Sequence, residues 1–256
     1  MDAEPASAHG IARALSLLDT LSLFPRGISL ANLTREAQIP KSTLHRLLKE
    51  LSDAGFVLRT GDGYYSLSFK VCELSNRLLS GLDIVELAIP YVRRLCSLSH
   101  ETVHLVVPSG TDIVYLRKEE PLDGTLRSMS YTGQHRPMYI TSAGKSILSL
   151  CSEAHVREVW EHSNIVPITD HTITSLPILL EELASARKIG YAIDNEENEI
   201  GVRCMGAAIV NHISEPIAAV SISAPTKRMT DARMNELAPA LISAAADISR
   251  AMGFSR

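Results

Sequence analysis

The sequence predicts an α+β protein built from two domains. Three observations indicate this. The first 70 residues have the pattern of short helices followed by a hairpin, and the rest alternates apolar strand-like runs with helical stretches. The chain has 256 residues, which is ample for two domains. Because hairpins flanked by helices are typical of α+β folds, we expect a mostly antiparallel sheet in the second domain.

The composition is that of a globular protein from a reducing compartment. Hydrophobic residues make up 45% and charged residues 21% of the chain. There is no apolar run of about 18 residues, which a membrane-spanning helix would need. The N-terminal segment MDAEPASAHG is acidic and lacks the apolar region of a secretory signal. We therefore expect a cytoplasmic protein that does not associate with a membrane.

The charge and the cysteines exclude few partners on their own. Residues 1–80 carry a net charge of +1 and the remainder −5, and so mild an asymmetry does not by itself indicate a polyanionic partner. The sequence has no C-x-x-C pair, so it favours neither a zinc ribbon nor a disulfide framework, and we expect no metal and no cofactor. The cysteines are far apart: Cys72, Cys96, Cys151 and Cys204.

The N-terminal domain is predicted from helical spacing and turn residues. GIARALSLLDTLSLF has apolar residues at helical spacing, and ISLANLTREAQ begins with Ser29 as a plausible N-cap. IPKSTLHRLLKEL follows after a short break, and Gly55 suits the position just beyond its end. FVLRTGDGYYSLSF predicts two strands around the turn GDG. The third helix buries one stripe, formed by Leu44, Leu47, Leu48 and Leu51.

Two helices joined by a short turn and followed by a hairpin form the winged helix-turn-helix pattern. Backbone N–H groups at a helix N-terminus attract phosphate, and hydroxyl and guanidinium groups bind phosphates and base edges. A basic helix face alone is more often a solvated surface, but the turn before it and the hairpin after it favour DNA binding. The candidate DNA-binding residues are Lys41, Ser42, Thr43, His45 and Arg46 on the helix, and Arg59 on the wing.

The later chain predicts a linker helix and an α+β domain. Asp83 resembles the N-cap of a further helix, and Pro90 inside that helix predicts a kink or a break. Thr230 is the expected N-cap of a long final helix that contains Pro239. Other helices are predicted at SAGKSILSLC and PILLEELASARKIG, and strands at TVHLVV, DIVYLR, TLRSMSY, GVRCMGAAIV and PIAAVSISA. The predicted domains are a flexible 1–9, a DNA-binding 10–70, a linker helix 71–82 and a ligand-binding 83–256.

Small polar residues in the second domain predict a ligand pocket. Ser221 and Ser223 are two apart on a strand and therefore point to one face. Asp194 ends a short strand, and Cys204 lies in an otherwise apolar strand. The segment TSAGKS places small residues at a helix N-terminus, which is a natural seat for a carboxylate. Together these residues favour a pocket for a small polar ligand.

Each of these residues also has a purely structural explanation. A buried cysteine usually acts as a small hydrophobic residue, and paired serines can bond to their neighbours. TSAGKS lacks the G-x-x-x-x-G-K-[ST] frame of a phosphate-binding loop. His104 is expected in the core or an interface rather than as a metal ligand.

Two other classes of protein remain open at this point. Cys204, a histidine and Asp194 could be assembled into a catalytic group, but nothing in the sequence brings a histidine to the cysteine. Neighbouring acids also oppose a reactive thiolate, although Arg203 is adjacent. A redox- or metal-responsive regulator on the same scaffold is the other alternative, and the scattered cysteines disfavour it. We expect no enzymatic activity.

Several stretches resemble the IclR-type bacterial transcriptional regulators. They are ARALSLL, IPKSTLHRLLKEL with GFV, PMYITSAGKSIL, GYAIDNEENEIGVRCMGAAIV and IAAVSISAP, and the resemblance extends from about Gly10 to Gly253. It implies a winged helix-turn-helix domain, a linker helix and a GAF-like effector-binding domain. It also implies a homodimer or homotetramer on a palindromic operator, repression of catabolic genes, and a sugar acid, keto acid or aromatic acid as effector. The effector positions it implies are the amides of Ser142 and Ala143 and the side chains of Asp194, Cys204, Ser221 and Ser223.

The sequence departs from the family pattern at three positions. Gln38 replaces a glycine in the helix-turn-helix turn, so it must tolerate that backbone or the turn must differ. Ser68 stands where a glycine is expected after the wing. Tyr139 replaces a histidine, and this is expected to change the pocket mouth or an interface.

Overall fold

The structure, a computed structural model, describes residues 6–80, 83–121 and 130–255. It divides into two compact units, of which the second begins at Asp83. The elements of the first unit are α1 (Ala6–Ser22), β1 (Ile28–Ser29), α2 (Leu30–Ala37), α3 (Lys41–Asp53), β2 (Val57–Arg59), β3 (Tyr64–Leu67) and α4 (Lys70–Ser80).

The first unit is a winged helix-turn-helix, as the sequence predicts. Leucines of α3 are buried in one core with residues of α1, α2 and the small sheet β1-β3-β2. Ser29 caps α2 by accepting a hydrogen bond from Asn32 N at 3.4 Å. The amides of Gly55 and Phe56 bond to the carbonyls of Ser52 and Leu51, which is the Schellman ending of a helix. The helix and cap predictions are therefore confirmed, although α1 begins at Ala6 rather than near Gly10.

The second unit is a sheet between two layers of helices. All its strand pairs are antiparallel, in the order β6-β5-β4-β9-β8-β7. A 3-10 turn at Met138–Ile140 precedes α6. The elements are α5 (Ile84–Ser99), β4 (Thr102–Ser109), β5 (Asp112–Glu119), β6 (His135–Pro137), α6 (Ser142–Leu150), α7 (Glu153–His162), α8 (Leu176–Ile189), β7 (Ala192–Asn195), β8 (Val202–Val210), β9 (Pro216–Pro225) and α9 (Asp231–Ala251).

Alternation along the central strands assigns each side chain to one of two faces. Odd-numbered residues of β4 and β8, such as Val103 and Met205, pack with α5 and α9 in one core. Even-numbered residues of these strands face the layer that contains α6. Helices α6, α7 and α8 form a second core on that side. The predicted fold class, including the mostly antiparallel sheet, is confirmed.

One sequence prediction about α5 is wrong, and one predicted strand lies mostly outside the described residues. Pro90 lies inside α5, which continues unbroken from Ile84 to Ser99, so the predicted alternative of a break is wrong. Because Ala88 and Val92 on either side are fully buried, packing outweighs the loss of one backbone hydrogen bond. The strand predicted at TLRSMSY lies mostly outside the described residues.

Candidate functional site

The predicted nucleic-acid surface lies on the outer face of α3. Leu44, Leu47 and Leu48 are at most 2% exposed, which fixes the opposite face toward solvent. Pro40 precedes the helix and provides no side-chain acceptor, so the first amides of α3 remain available to an anion. Lys41, Ser42, His45 and Arg46 are exposed and Thr43 is half-buried.

The two arginines of the predicted DNA-binding surface, Arg46 on α3 and Arg59 on the wing, make only weak contacts within the protein. Arg46 donates to Glu50 at 2.7 Å one helical turn away, and both side chains are more than half exposed. Exposed pairs of this kind contribute little stability, so Arg46 can exchange Glu50 for another acceptor at small cost. Arg59 lies 5.7 Å from the centre of the Tyr65 ring, which directs its guanidinium along the wing.

The turn before α3 keeps its shape without the expected glycine. Gln38 adopts the left-handed conformation, with φ 53° and ψ 32°, at the end of α2. A non-glycine residue reaches this region at some cost in free energy. The departure at Gln38 therefore leaves the turn intact and strains one residue.

Ser68 joins the wing, α3 and α4. Its hydroxyl donates to the carbonyl of Gly55 and accepts from Lys70 N at 3.1 Å. Lys70 Nζ donates to the Ala54 carbonyl at 2.6 Å and lies over the Phe56 ring. The start of α4 is thus bonded to the end of α3, and the serine supplies an acceptor that glycine would lack.

In the second unit, a cavity of about 100 Å³ opens between the sheet and α6. This volume is below the roughly 300–1,000 Å³ of pockets for drug-sized molecules, so it suits a small ligand. All the effector positions that the resemblance implies line it: Ser142, Ala143, Asp194, Cys204, Ser221 and Ser223.

Strand register explains why these residues meet. Thr102, Ser223, Cys204 and Asp194 pair in that order across β4, β9, β8 and β7, forming one row. A second row, two residues along, contains His104, Ser221 and Gly206. Paired residues share a face of the sheet, so both rows point toward α6. The sulfur of Cys204 lies 3.3 Å from the Ser223 hydroxyl within the first row.

Gly206 brings the N-terminus of α6 onto the sheet. A Cβ at this position would lie 2.7 Å from Ala143 N and 2.8 Å from the Ser142 carbonyl oxygen. Thr141 caps the helix by accepting from Gly144 N at 3.1 Å. The close approach fixes the helix N-terminus beside the polar rows, where its positive end favours an anion.

Asp194 is a buried acid at the edge of the cavity. Its Oδ1 accepts from Glu197 N at 2.8 Å and from Asn198 N at 3.4 Å. Burial raises the pKa of Asp194 to about 6, although the charge of Lys145 and the two amides lower it in part. Near neutral pH the carboxylate is therefore mostly ionised and accepts hydrogen bonds.

Sequence reasoning missed several cavity residues. His104 bonds Ser130 at 2.7 Å, and burial together with Lys118 lowers the pKa of His104 to about 3, so the ring is neutral. Tyr115 packs edge-on against that ring at 4.9 Å. His104 and Tyr115 lie on β4 and β5, which form one hairpin, but only the pairing of β4 with β9 brings them beside Ser221 and Cys204, and no local pattern indicates that pairing. Others in the lining are Glu101, Gln134, Arg136 and Arg228.

The thiol of Cys204 does not have the surroundings of a nucleophile. Burial and the negative charge of Asp194 raise the pKa of Cys204 above its ordinary value, which disfavours the thiolate. His104 also lines the cavity, but its Nε2 is engaged with Ser130. Within residues 6–80, 83–121 and 130–255, no group of three or more His, Cys, Asp and Glu side chains could hold a metal ion.

Tyr139 does not line the cavity, so the expected change at the pocket mouth is not seen, and the alternative of a change at an interface stays a prediction. It is 1% exposed and packs edge-on against Trp160 at 5.6 Å. Its hydroxyl accepts from Val166 N at 3.0 Å. The tyrosine therefore anchors the segment after α7 and is not part of the cavity wall.

A winged helix-turn-helix with an exposed basic recognition helix, joined to a domain with a polar cavity, defines the class of DNA-binding transcriptional regulators. Residues 10–61 match the IclR helix-turn-helix domain, and residues 76–250 match the C-terminal domain of bacterial IclR transcriptional regulators. The chain belongs to the IclR family of bacterial transcriptional regulators.

Relatives of known role cover the whole chain. The DNA-binding transcriptional repressor YiaJ of Escherichia coli is 35% identical over 98% of this chain and 90% of its own length. The regulator KdgR of the same species is 33% identical over 99% and 96%. Matched relatives are regulators rather than enzymes, in agreement with the expectation of no enzymatic activity.

Solved structures of the family have the same fold. IclR of Thermotoga maritima is 32% identical, covers 96% of this chain and 100% of its own, and has a TM-score of 0.65. The repressor BlcR of Agrobacterium tumefaciens is 28% identical, covers 98% and 100%, and has a TM-score of 0.73. In the described part of the chain, no helix has both the length and the apolar character needed to cross a membrane.

Proposed function

We propose that this protein is a repressor of catabolic genes whose DNA binding is controlled by a small carboxylate held in the cavity of the second unit. The DNA-binding residues are Lys41, Ser42, Thr43, His45 and Arg46 on α3, and Arg59 on the wing. The word repressor in the name of YiaJ supports the sign of regulation. The protein acts in the cytoplasm, where bacterial chromosomal DNA lies.

The observation that carries the effector proposal is the convergence of distant residues on one cavity. Residues of α6, β7, β8 and β9 meet there: Ser142, Ala143, Asp194, Cys204, Ser221 and Ser223. The amides at the N-terminus of α6 suit a carboxylate, and serine hydroxyls add further donors.

The lining favours a hydroxylated acid over an aromatic one. The ionised Asp194 repels a carboxylate but accepts hydrogen bonds from hydroxyl groups, so it suits the far end of a ligand whose carboxylate lies at α6. His104 and Tyr115 are the aromatic rings of the lining, and hydroxyl, amide and charged groups form most of the rest. A sugar acid meets these requirements better than a keto acid or an aromatic acid.

A dimer or tetramer with two-fold symmetry would present two α3 helices to a palindromic operator. The half-sites would then lie about 34–36 Å apart or at multiples of that spacing. The effector changes operator affinity only through its different affinity for two arrangements of the oligomer. Coupling of about 1–3 kcal/mol corresponds to roughly 5- to 150-fold in operator affinity.

A gel-shift titration tests this function. Purified protein is titrated onto DNA from upstream of its own gene, alone and with sugar acids, keto acids or aromatic acids. We expect a specific, salt-dependent complex that one class of acid weakens. A complex that responds to hydrogen peroxide or zinc but to no acid would favour the redox or metal alternative. Absence of any specific complex with this DNA, at moderate salt, would contradict binding near its own gene.

A further inference from the structure

A lysine without solvent contact lies behind the cavity wall. Lys145 of α6 is 0% exposed, although lysine is among the residues least often buried. Its Nζ donates to Glu197 Oε1 at 2.5 Å and to Glu182 Oε2 at 2.6 Å. Lys145 and Glu197 do not belong to the described lining of the cavity, so any influence on a ligand passes through other residues.

Glu197 belongs to a turn that forms part of that lining. This turn, residues 195–201, is called the acidic turn below. Glu197 Oε1 accepts from Asn195 N at 3.2 Å, and Glu197 N donates to Asp194 Oδ1 at 2.8 Å. Asn198 and Glu199 of the same turn line the cavity. The carboxylate of Glu197 therefore stabilises the acidic turn and connects it to α6.

Lys145 thus connects two walls of the cavity. Ser142 and Ala143, whose amides lie at the N-terminus of α6, are on the same helix as Lys145, less than one turn away. The outer side of the acidic turn is held separately, because Thr169 and Thr172 donate to its carbonyls at 2.7 Å. Loss of the Lys145–Glu197 bond would free the turn from α6 without detaching it from the domain.

We propose that Lys145 is a positioning residue for the effector, which through Glu197 holds the acidic turn and Asp194 in place relative to the N-terminus of α6. The inference rests on the proposed function, because it assumes an effector in this cavity. A buried ion pair is often no more stabilising than an apolar pair of similar size. A role in ligand geometry explains why three charged groups are gathered here.

The charges of Lys145 and Glu197 affect the ligand through Asp194, which lines the cavity. Lys145 lowers the pKa of Asp194, against the larger effect of burial. Burial raises the pKa of Glu197 to about 7; the charge and hydrogen bond of Lys145 oppose this shift, and Asp194 and Glu182 add to it. The titratable and charged groups around Asp194 come from several elements: Lys145, Glu182, Glu197, Glu199, Cys204, Tyr115, His104 and Arg136.

Two variants separate a positioning role from a structural one. Lys145→Met with Glu197→Leu removes the connection and leaves no unpaired charge between these two residues. Glu197→Gln keeps an acceptor for Lys145 Nζ but removes one negative charge beside Asp194. Arg157→Met with Glu153→Gln removes an exposed ion pair of α7 and is the matched control.

The experiment is calorimetric titration of the full chain with D-gluconate, pyruvate and 4-hydroxybenzoate between pH 5 and 8. We expect the double variant to bind the acid that the wild type binds about tenfold or more weakly at pH 7. We expect Glu197→Gln to keep wild-type affinity at pH 8. Below pH 7 it should also follow the wild type, because Glu197, with a pKa of about 7, is already mostly protonated where Asp194 titrates. The control should match the wild type.

Fluorescence of Trp160, the single tryptophan, shows whether each variant is folded in the second unit. A folded double variant with wild-type affinity overturns the positioning role and leaves the effector proposal intact. A folded Glu197→Gln that binds the acid about tenfold or more weakly than the wild type at pH 8 also overturns it, because this variant keeps an acceptor for Lys145, and this comparison decides the matter if the double variant does not fold. A wild type that binds none of the three acids overturns the effector proposal, and the role of Lys145 with it.

Discussion

Gln38 keeps the turn before α3 in its expected shape at a cost in backbone strain. Its left-handed conformation is the one that glycine adopts most easily, and a side chain there costs roughly 1–2 kcal/mol. Gln38 is exposed, so its side chain gains little burial in return. The turn geometry is set by the packing of α2 and α3, and the residue conforms to it.

Gln38→Gly should therefore stabilise the first unit. We expect the free energy of unfolding to rise by about 1 kcal/mol, since relief of strain exceeds the added entropy of the unfolded chain. Thermal unfolding followed by circular dichroism measures this. The Trp160 fluorescence transition reports the second unit and should not move. A lower midpoint in the variant would show that Gln38 is not strained.

Arg46→Ala should weaken operator binding and leave stability almost unchanged. Its pair with Glu50 is exposed, so the free energy of unfolding should fall by less than about 0.5 kcal/mol. A lost phosphate or base contact should weaken operator binding by about 1–3 kcal/mol. Arg157→Ala breaks an equivalent exposed pair on α7 and should retain operator affinity in the same gel shift. Equal affinities for the two variants would contradict the assignment of α3.

The burial of Lys145 could not be predicted from the sequence. The sequence places it in TSAGKS, where the missing loop frame disfavours a phosphate site, and a helix lysine ordinarily faces solvent. Its burial depends on Glu182 and Glu197, which lie far along the chain. Local sequence carries no signal for such a pairing.

At the scale of elements, the contact between α6 and β8 depends on the missing side chain of Gly206. Gly206→Ala would put a methyl group 2.7 Å from Ala143 N, so α6 must move away from the sheet. We expect a loss of about 1–3 kcal/mol in the free energy of unfolding of the second unit. Trp160 fluorescence should report a midpoint lower by roughly 2–4 °C per kcal/mol. An unchanged midpoint would mean that α6 is not fixed there.

The sequence predicts the elements with strong periodicity but misses some of the others. The apolar stripe of α3 and the alternation of β9 identify these elements directly. Helix α7 and the short strands β1 and β6 are not predicted, and the two strands have only two and three residues, too few to carry a pattern. The sequence indicates the proposed effector positions on separate segments, but their meeting in one cavity depends on the register between distant strands.

At the scale of the whole molecule, the buried acids make stability depend on pH. The pKa of Asp194 is raised to about 6 and that of Glu197 to about 7, so between about pH 4 and 7 the folded state binds more protons than the unfolded state. The free energy of unfolding contributed by these groups therefore rises as pH falls through that window. Below about pH 6.5, His104 opposes this trend, because it stays neutral when folded.

Comparison with Glu197→Gln isolates the effect. From pH 8 to 6.5, the wild type should gain about 1 kcal/mol in free energy of unfolding relative to the variant. Denaturant unfolding of the second unit, followed by Trp160 fluorescence at both pH values, measures the difference. Parallel curves for the two proteins would contradict the raised pKa of Glu197.

The junction of α3 and α4 has a consequence for how a signal could travel along the chain. Ser68 and Lys70 bond the start of α4 to the carbonyls of Gly55 and Ala54, which directly follow α3, so the two helices keep a fixed rotational phase. Each residue of an α-helix rotates the chain by about 100° about the helix axis. A one-residue insertion near the middle of α4 would keep the start of α4 bonded to the carbonyls after α3 but rotate the later residues of α4 by about 100° relative to α3. The number of residues in α4 is therefore constrained in a way that the identity of those residues is not.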